Sequence, residues 1–144
     1  IGKIAISDSI LRKPGKLTEE EFEIIKTHPK VGGDMLREAL KIDDADEYLT
    51  YAYEMAMYHH EKWNGTGYPE GLKGNEIPLS ARIMAIADVF DALTSKRSYK
   101  DKISDDRAFE IIEQSSGSHF DPILVNVFVD IKEEILETKN KNYE

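Results

Sequence analysis

Apolar residues recur every three or four positions through most of this 144-residue chain, and no stretch of any length alternates apolar with polar residues. The first spacing is typical of helices that bury one face, whereas alternation would indicate strands. Residues 1–17 show neither pattern and are predicted to be irregular, with a turn at Pro14-Gly15. Thr18 followed by Glu21 matches a capping box, so the first clear helix should begin there. The pattern predicts an all-α fold.

Prolines and acidic caps divide the rest of the first half into further predicted helices. Pro29 should break or kink the first helix, and a second helix should run to about Leu40. A third helix, opened by Asp43 or Asp44, should end at His60. A long Gly-rich loop follows, and loops of that length are usually functional.

Three more helix starts are visible in the second half of the chain. Pro78 suits a first helical position, and Ser104 is a typical N-cap residue. The last helix is predicted to start at Pro122. Residues 1–138 should therefore form one domain, and the polar tail 139–144 should fray.

Composition narrows the functional classes. The formal net charge is −9, which disfavours a nucleic-acid polymer as partner because such binding needs a basic surface. The chain has no cysteine, so a metal site would have to use His nitrogen and carboxylate oxygen. No apolar run approaches the roughly 20 residues that cross a bilayer, and no signal peptide is visible, so we expect a cytoplasmic protein.

Four polar residues lie on helix faces that the apolar pattern predicts to be buried: His28, His59, His60 and Asp88. Such groups are costly to bury unless they are paired or bind a metal, and imidazole with carboxylate suits Fe, Mn or Zn. The alternative for each histidine is a hydrogen-bonded core residue, which is the more common role of a single buried His. Asp88 and Asp91 could instead form a solvated helix edge. The adjacent histidines together with Asp88 favour a metal ion that all four share.

Two further segments are open to a structural or a functional interpretation. The stretch NGTGYPEGLKG is either a simple turn or a functional loop. The basic residues after the helix of Asp88 are either partners of the helix dipole or an anion clamp in which Arg97 grips phosphate oxygens. His119 is predicted to be structural, as a loop anchor beside a helix cap.

The stretch HHEKWNGTGYPEGLKGNEIPLSARIMAIADVFDALTSKRSYK resembles the HD-GYP domains, a subgroup of the HD metal-dependent phosphohydrolases. The upstream stretch ending in KTHP and the downstream SGSHFDPILVNVF are similar to the same family, so the resemblance covers nearly the whole chain. It implies an HD-type helical bundle that holds two or three divalent metal ions, often Fe or Mn. It also implies hydrolysis of cyclic di-GMP to a linear dinucleotide, and in some members on to GMP.

The resemblance implies roles for single residues. The metal ligands would be His28, His59, His60 and Asp88, and the residues of catalysis would be Lys3 and Asp88. The GYP residues lie beside the substrate cleft in the family and are sometimes linked to contacts with diguanylate cyclase domains. The residues implied at the substrate are Arg97, Lys100, Asp91, Gly67, Tyr68 and Pro69.

Two features depart from the family pattern. Asn64 stands where the family usually has Asp, and we interpret it as a loop-shaping position. The His-Asp dyad that names the family would immediately precede Ile1, and helices upstream of it would add ligands and one wall of the bundle. We therefore expect a bundle incomplete at its N-terminal side, a partial metal site, and little or no activity of this chain alone.

The resemblance also implies partners. The parent protein would carry an upstream sensory or receiver domain, and exposed apolar faces should drive a dimer or a swapped assembly. A mixed cyclic dinucleotide is a second candidate substrate. The alternative function is a catalytically degenerate module that senses a nucleotide or docks diguanylate cyclase domains.

Overall fold

The computed structural model describes residues 2–13, 15–41, 46–95 and 102–143, and regular structure within these ranges is helical. The described residues form no strand, and the all-α prediction is confirmed. None of the helices in these ranges has the length and apolar character that a bilayer crossing needs. The helices are α1 (Asp8–Leu11), α2 (Glu19–Ile25), α3 (His28–Leu40), α4 (Glu47–Tyr58), α5 (Leu79–Thr94), α6 (Asp105–Gln114), α7 (Pro122–Asp130) and α8 (Lys132–Tyr143), with short 3-10 helices at Gly2–Ala5 and Gly74–Glu76.

Side-chain caps open three of these helices where the sequence predicted them. The Thr18 hydroxyl accepts a hydrogen bond from the Glu21 N–H at 3.1 Å, and the Glu21 carboxylate accepts one from the Thr18 N–H at 3.0 Å. The side chains of Ser104 and Asp121 cap α6 and α7 by accepting the N–H groups of Arg107 and Ile123. Each cap satisfies an N–H group that a helix start leaves unpaired, which is why short-range sequence signals locate it.

The first half of the chain differs from the prediction in three places. The N-terminal segment is not wholly irregular, because a 3-10 helix and α1 lie there. α3 begins at His28, since Pro29 occupies the first turn, where its missing N–H has no intrahelical partner in any case. α4 is opened by Asp46, and the predicted caps Asp43 and Asp44 lie outside the described residues.

The second half differs at its helix boundaries. Pro78 is the N-cap of α5 rather than its first residue. Two helices, separated at Ile131, occupy the region predicted as one. α8 runs to Tyr143, and the fraying expected for residues 139–144 stays a prediction.

Ion pairs hold α8 against α6. Lys132 contacts Asp106 at 2.7 Å, and Lys139 contacts Asp105. Both acidic residues lie in the first turn of α6, where negative charge is favourable. These long-range pairs give the polar end of the chain a partner that no local pattern predicts.

The main hydrophobic core lies between α5, α6, α7 and α8. Its centre is an aromatic trio, in which the ring centroid of Phe109 lies 5.3 Å from that of Phe90 and 4.6 Å from that of Phe128. Aromatic pairs in edge or offset contact add to the free energy gained by burial. Ile112 is fully buried beside them. This core fixes α5, the helix that carries Asp88.

α3 and α4 approach each other closely at a glycine. A Cβ atom on Gly33 would lie 2.5 Å from Cε and 3.0 Å from Cβ of the buried Met57. The contact is made at Gly33, within the first two turns of α3. It brings the start of α3 next to the end of α4.

Candidate metal centre

Three imidazoles converge where α3 begins and α4 ends. His28 is the first residue of α3, His59 is the C-cap of α4, and His60 follows it. One ring nitrogen from each lies within 4.8 Å of the others, and Nε2 of His28 is 3.0 Å from Nε2 of His60. Two nitrogens that bind one ion at about 2.1 Å, about 90° apart, are separated by about 3.0 Å. The cluster therefore fits a divalent ion that prefers nitrogen ligands.

The orientation of His59 is fixed by a hydrogen bond to its own helix. Nδ1 of His59 lies 2.6 Å from the carbonyl oxygen of Met55. A carbonyl can only accept, so Nδ1 carries the proton and Nε2 has the free lone pair. A hydrogen bond from the non-ligating nitrogen is the usual support of a metal-binding histidine.

Burial keeps His28 and His60 neutral. Desolvation, followed by repulsion from His59 and Lys3, lowers the pKa of His28 to about 4. Desolvation, followed by repulsion from His59 and His28, lowers the pKa of His60 to about 3. Both rings are unprotonated at neutral pH, which is the form that binds a metal.

Lys3 lies beside the cluster because Gly2 packs against α3. A Cβ atom on Gly2 would lie 1.7 Å from the carbonyl oxygen of His28, so the contact requires a glycine. The charge of Lys3 contributes to the lowered pKa of both His28 and His60. Its ammonium group is therefore close enough to act electrostatically on whatever the cluster binds.

The segment Gly67-Tyr68-Pro69 packs directly on the histidine pair. The Tyr68 ring stacks on the His60 ring, with centroids 4.9 Å apart and an interplanar angle of 14°. The Tyr68 N–H donates to the His60 carbonyl oxygen at 3.2 Å, and a Cβ atom on Gly67 would lie 2.4 Å from that oxygen. The Gly-rich stretch is thus one wall of the cluster and not a simple turn.

Asp88 lies near this wall, and Asp91 follows it by three residues on α5. Burial, followed by the charge of Asp88, raises the pKa of Tyr68 to about 12. Among the described residues, the group with ligand atoms within 4.8 Å of one another comprises the three histidines and does not include the Asp88 carboxylate. Asp91 is exposed and accepts a hydrogen bond from the Ser95 hydroxyl at 3.2 Å.

Arg97 and Lys100, the two basic residues predicted to contact phosphate, lie outside the described residues. The end of α5 at Thr94 is described, and Ser95 is its C-cap. The anion clamp therefore stays a prediction from the sequence.

Glu61 organises the site but was not among the predicted residues. Its side chain is 2% exposed, and its carboxylate accepts N–H groups from Glu70 at 2.6 Å, Gly71 at 3.1 Å and Leu72 at 2.9 Å. A buried carboxylate is tolerated when such donors satisfy it. No local sequence signal identifies it, because its three donors lie 9, 10 and 11 residues further along the chain.

A second loop supports the histidine loop from its other side. The Trp63 N–H donates to the His119 carbonyl at 3.0 Å, and the Asn64 N–H donates to the Ser118 carbonyl at 2.9 Å. The Asn64 side chain accepts from the Thr66 N–H at 3.0 Å and from the Thr66 hydroxyl at 2.6 Å. These bonds agree with the predicted roles of Asn64 in shaping the loop and of His119 in anchoring it.

Residues 1–124 match the family model of the HD domain. The chain belongs to the HD domain family. A cyclic di-GMP phosphodiesterase of Vibrio cholerae is 50% identical over 136 residues, which are 94% of this chain and 28% of that protein. A cyclic di-GMP phosphodiesterase of Thermotoga maritima is 45% identical over 95% of this chain and 36% of its own length.

Other relatives of this HD domain carry a different substrate in their names. A 3'3'-cGAMP-specific phosphodiesterase of V. cholerae is 45% identical over 94% of the chain and 25% of that protein. The crystal structure of a cyclic GMP-AMP specific phosphodiesterase of V. cholerae matches 95% of the chain and 33% of its own, with a TM-score of 0.56 and 26% identity. The HD domain thus spans between 25% and 36% of these relatives. The relatives support the HD-GYP type that the motifs predicted.

His119 lies outside the group of three converging imidazoles and gives this HD domain a further pH-dependent property. Burial, followed by the charge of Lys62, lowers its pKa from the ordinary 6.5 to about 4. Between these values the unfolded chain binds more protons than the folded one, so stability should fall as the pH drops through this window. We expect His119→Gln to lose less stability than the wild type between about pH 7 and about pH 4, by on the order of 1–2 kcal/mol. Urea unfolding at each pH measures this, and parallel curves would contradict it.

Proposed function

We propose that this HD domain is the catalytic part of a metal-dependent phosphodiesterase that hydrolyses a cyclic dinucleotide, with cyclic di-GMP as the first candidate. The observation that carries the proposal is the convergence of three imidazoles, two of them held neutral by burial, within 4.8 Å. The proposal is supported by the 50% identity to a V. cholerae protein named as a cyclic di-GMP phosphodiesterase.

The ligands proposed for the metal are His28, His59, His60 and Asp88. Nitrogen ligands with a carboxylate suit Fe or Mn, and two or three such ions are proposed. A bound divalent ion would lower the pKa of a water molecule and neutralise phosphate charge. For Asp88 to ligate, its carboxylate would have to join the cluster from the neighbouring α5.

The other proposed roles follow from charge and position. Lys3 acts on the histidine cluster electrostatically, so its ammonium group would stabilise the charge that develops on the leaving oxygen. Tyr68 and Pro69 would form the wall against which the dinucleotide lies. Arg97 and Lys100 are proposed to grip its phosphate oxygens, and Asp91 to contact the substrate from the exposed side of α5.

A mixed cyclic dinucleotide is the second candidate substrate. It is favoured by the 45% identity to a protein named as a 3'3'-cGAMP-specific phosphodiesterase, which equals the identity to the T. maritima cyclic di-GMP phosphodiesterase. Turnover of both dinucleotides by the same preparation, followed by chromatography, decides between them. A degenerate module that senses a nucleotide, or docks diguanylate cyclase domains, would bind a dinucleotide or a cyclase domain and turn over neither substrate.

The test of the proposed function uses this chain and the full-length protein side by side, each loaded with Mn²⁺ or Fe²⁺ and assayed with cyclic di-GMP. We expect metal-dependent turnover by the full-length protein that is lost with a chelator. Metal binding without turnover of any cyclic dinucleotide would contradict the proposal. Equal rates for the two proteins would contradict only the expectation that this chain holds a partial site. Light scattering of the same samples tests the predicted dimer.

In the full-length protein, Lys3→Met should lower kcat for cyclic di-GMP by about 10–100-fold with little change in metal content. The reason is that it removes charge stabilisation at the reacting phosphate while leaving the three imidazoles in position. Metal analysis and steady-state kinetics of the same samples measure both quantities. Lys16→Met removes an exposed lysine from the same region and should change neither. A loss of metal from Lys3→Met would show that Lys3 acts on the cluster and not on the substrate.

A further inference from the structure

The two adjacent histidines of the cluster are held by different kinds of contact. His59 is oriented by its hydrogen bond to the Met55 carbonyl, 2.6 Å long. His60 is oriented by the Tyr68 ring, which lies nearly parallel to the imidazole with the centroids 4.9 Å apart. The plane of the His60 ring therefore depends on where the loop holds Tyr68.

The position of Tyr68 depends in turn on Glu61. The Tyr68 N–H donates to the His60 carbonyl, and the next residues of the loop bind the Glu61 carboxylate. Oε1 accepts the N–H groups of Glu70 and Gly71, and Oε2 accepts that of Leu72. One stretch of backbone, residues 60 and 61, therefore carries both an imidazole of the cluster and the anchor of the loop that covers it.

We propose that Glu61 is a positioning residue of the metal centre: its buried carboxylate holds the loop that presses the Tyr68 ring against His60. The inference rests on the proposed function, because it takes His60 as a metal ligand. Groups that orient a ligand typically change metal affinity by about 10–100-fold when they are removed. Glu61 touches no ligating atom and acts through the loop.

The chemistry of the three donors explains why a carboxylate stands at this position. Two carboxylate oxygens can accept all three N–H groups. A glutamine would keep one accepting oxygen, and its NH₂ group would face either the Leu72 N–H or the pair from Glu70 and Gly71. The glutamine NH₂ group and a backbone N–H group would then face each other in a buried position, with no acceptor between them. Glu61→Gln should therefore release one side of the loop while changing the side-chain volume very little.

The test is Co²⁺ titration of the full chain, followed by the visible absorption of the bound ion, with urea unfolding of each metal-free variant. Asp121→Asn is the matched control, because Asp121 is also a buried carboxylate, 5% exposed. It pairs with Arg82 at 2.7 Å and accepts the Ile123 N–H at 2.9 Å. Both bonds are made to helices, α5 and α7, and neither involves the N–H groups that Glu61 binds.

We expect Glu61→Gln to raise the Kd for Co²⁺ by about 10–100-fold and to shift the absorption bands of the bound ion. The Kd of Asp121→Asn should stay within about threefold of the wild-type value. Both variants should unfold at lower urea concentrations than the wild type. Equal weakening of Co²⁺ binding in the two variants would overturn the proposal, because Glu61 would then act only on global stability. Unchanged affinity in Glu61→Gln would overturn it as well. A wild type that binds no Co²⁺ would overturn the proposed function itself, before any variant is compared.

A pair of substitutions at Tyr68 tests whether the effect of Glu61 on the metal reaches His60 through the Tyr68 ring. Tyr68→Phe keeps the ring that stacks on His60 and should bind Co²⁺ with wild-type affinity. Tyr68→Leu removes the stack and should reproduce the loss expected for Glu61→Gln. Wild-type affinity in Tyr68→Leu would overturn the route through the ring.

Discussion

His60→Ala should lower the affinity of the chain for Mn²⁺ or Co²⁺ by more than about 100-fold, and in the full-length protein it should remove cyclic dinucleotide turnover. Nε2 of His60 lies 3.0 Å from Nε2 of His28, so the substitution deletes a ligand atom of the cluster. Loss of a ligand should cost more than loss of an outer group, which is worth about 10–100-fold. Isothermal titration with Mn²⁺ measures the affinity, and chromatography of the dinucleotide measures turnover.

His119→Gln is the control for the loss of a histidine as such. His119 is partly buried and neutral like His60, but it is not part of the cluster. The His119→Gln substitution should therefore leave metal affinity unchanged. Circular dichroism with a chelator present should show that both variants fold. Equal metal affinity in His60→Ala and the wild type would mean that the three imidazoles do not bind an ion together.

Helix starts that depend on local chemistry were predicted well. The capping box at Thr18 needs only a hydroxyl and a carboxylate three residues apart, and both are visible in the sequence. The start of α4 at Asp46 was missed because Asp43, Asp44 and Asp46 are all acceptable caps. A single sequence cannot rank such candidates, since their intrinsic preferences are equal.

The spacing of apolar residues predicted the apolar face of each helix, but not which other elements pack against that face. Phe22 and Ile24 continue the stripe of α2, yet they are 46% and 44% exposed. Burial depends on which other elements reach that face, and a periodic pattern carries no such information. Asp88 shows the same limit. The sequence predicted the helix that carries it, but not that its carboxylate lies outside the group of converging imidazoles.

The histidines of the centre could be found from residue type and position, whereas its support could not. Paired imidazoles at a helix end are rare enough in ordinary packing to indicate chemistry. Glu61 was missed because its role depends on the path of the loop, which returns the N–H groups of Glu70, Gly71 and Leu72 to it. A contact across about ten residues of irregular backbone has no periodic signature.

Gly67→Ala should destabilise the fold by about 3 kcal/mol and reduce metal affinity by about 100-fold. A Cβ atom at this position would lie 2.4 Å from the His60 carbonyl oxygen, 2.5 Å from the Lys62 nitrogen and 2.7 Å from the Glu61 Cα. All three are backbone atoms, so no side chain can rotate away and the loop itself must move. Because Tyr68 follows directly, that movement would lift its ring from His60. Urea unfolding and Co²⁺ titration measure the two effects.

Gly74→Ala separates this close approach from the conformational cost of replacing a glycine. Gly74 has a φ of +59° with no heavy atom within 4 Å of an added Cβ, so alanine there should cost only about 1 kcal/mol through the left-handed backbone. The Gly74 variant should keep wild-type Co²⁺ affinity, because its strain does not reach Tyr68. If the two alanine variants lost stability and affinity equally, the glycine of the GYP segment would serve ordinary loop flexibility. A selective loss at Gly67 would instead mean that the contact between the loop and the histidine backbone sets the geometry of the centre.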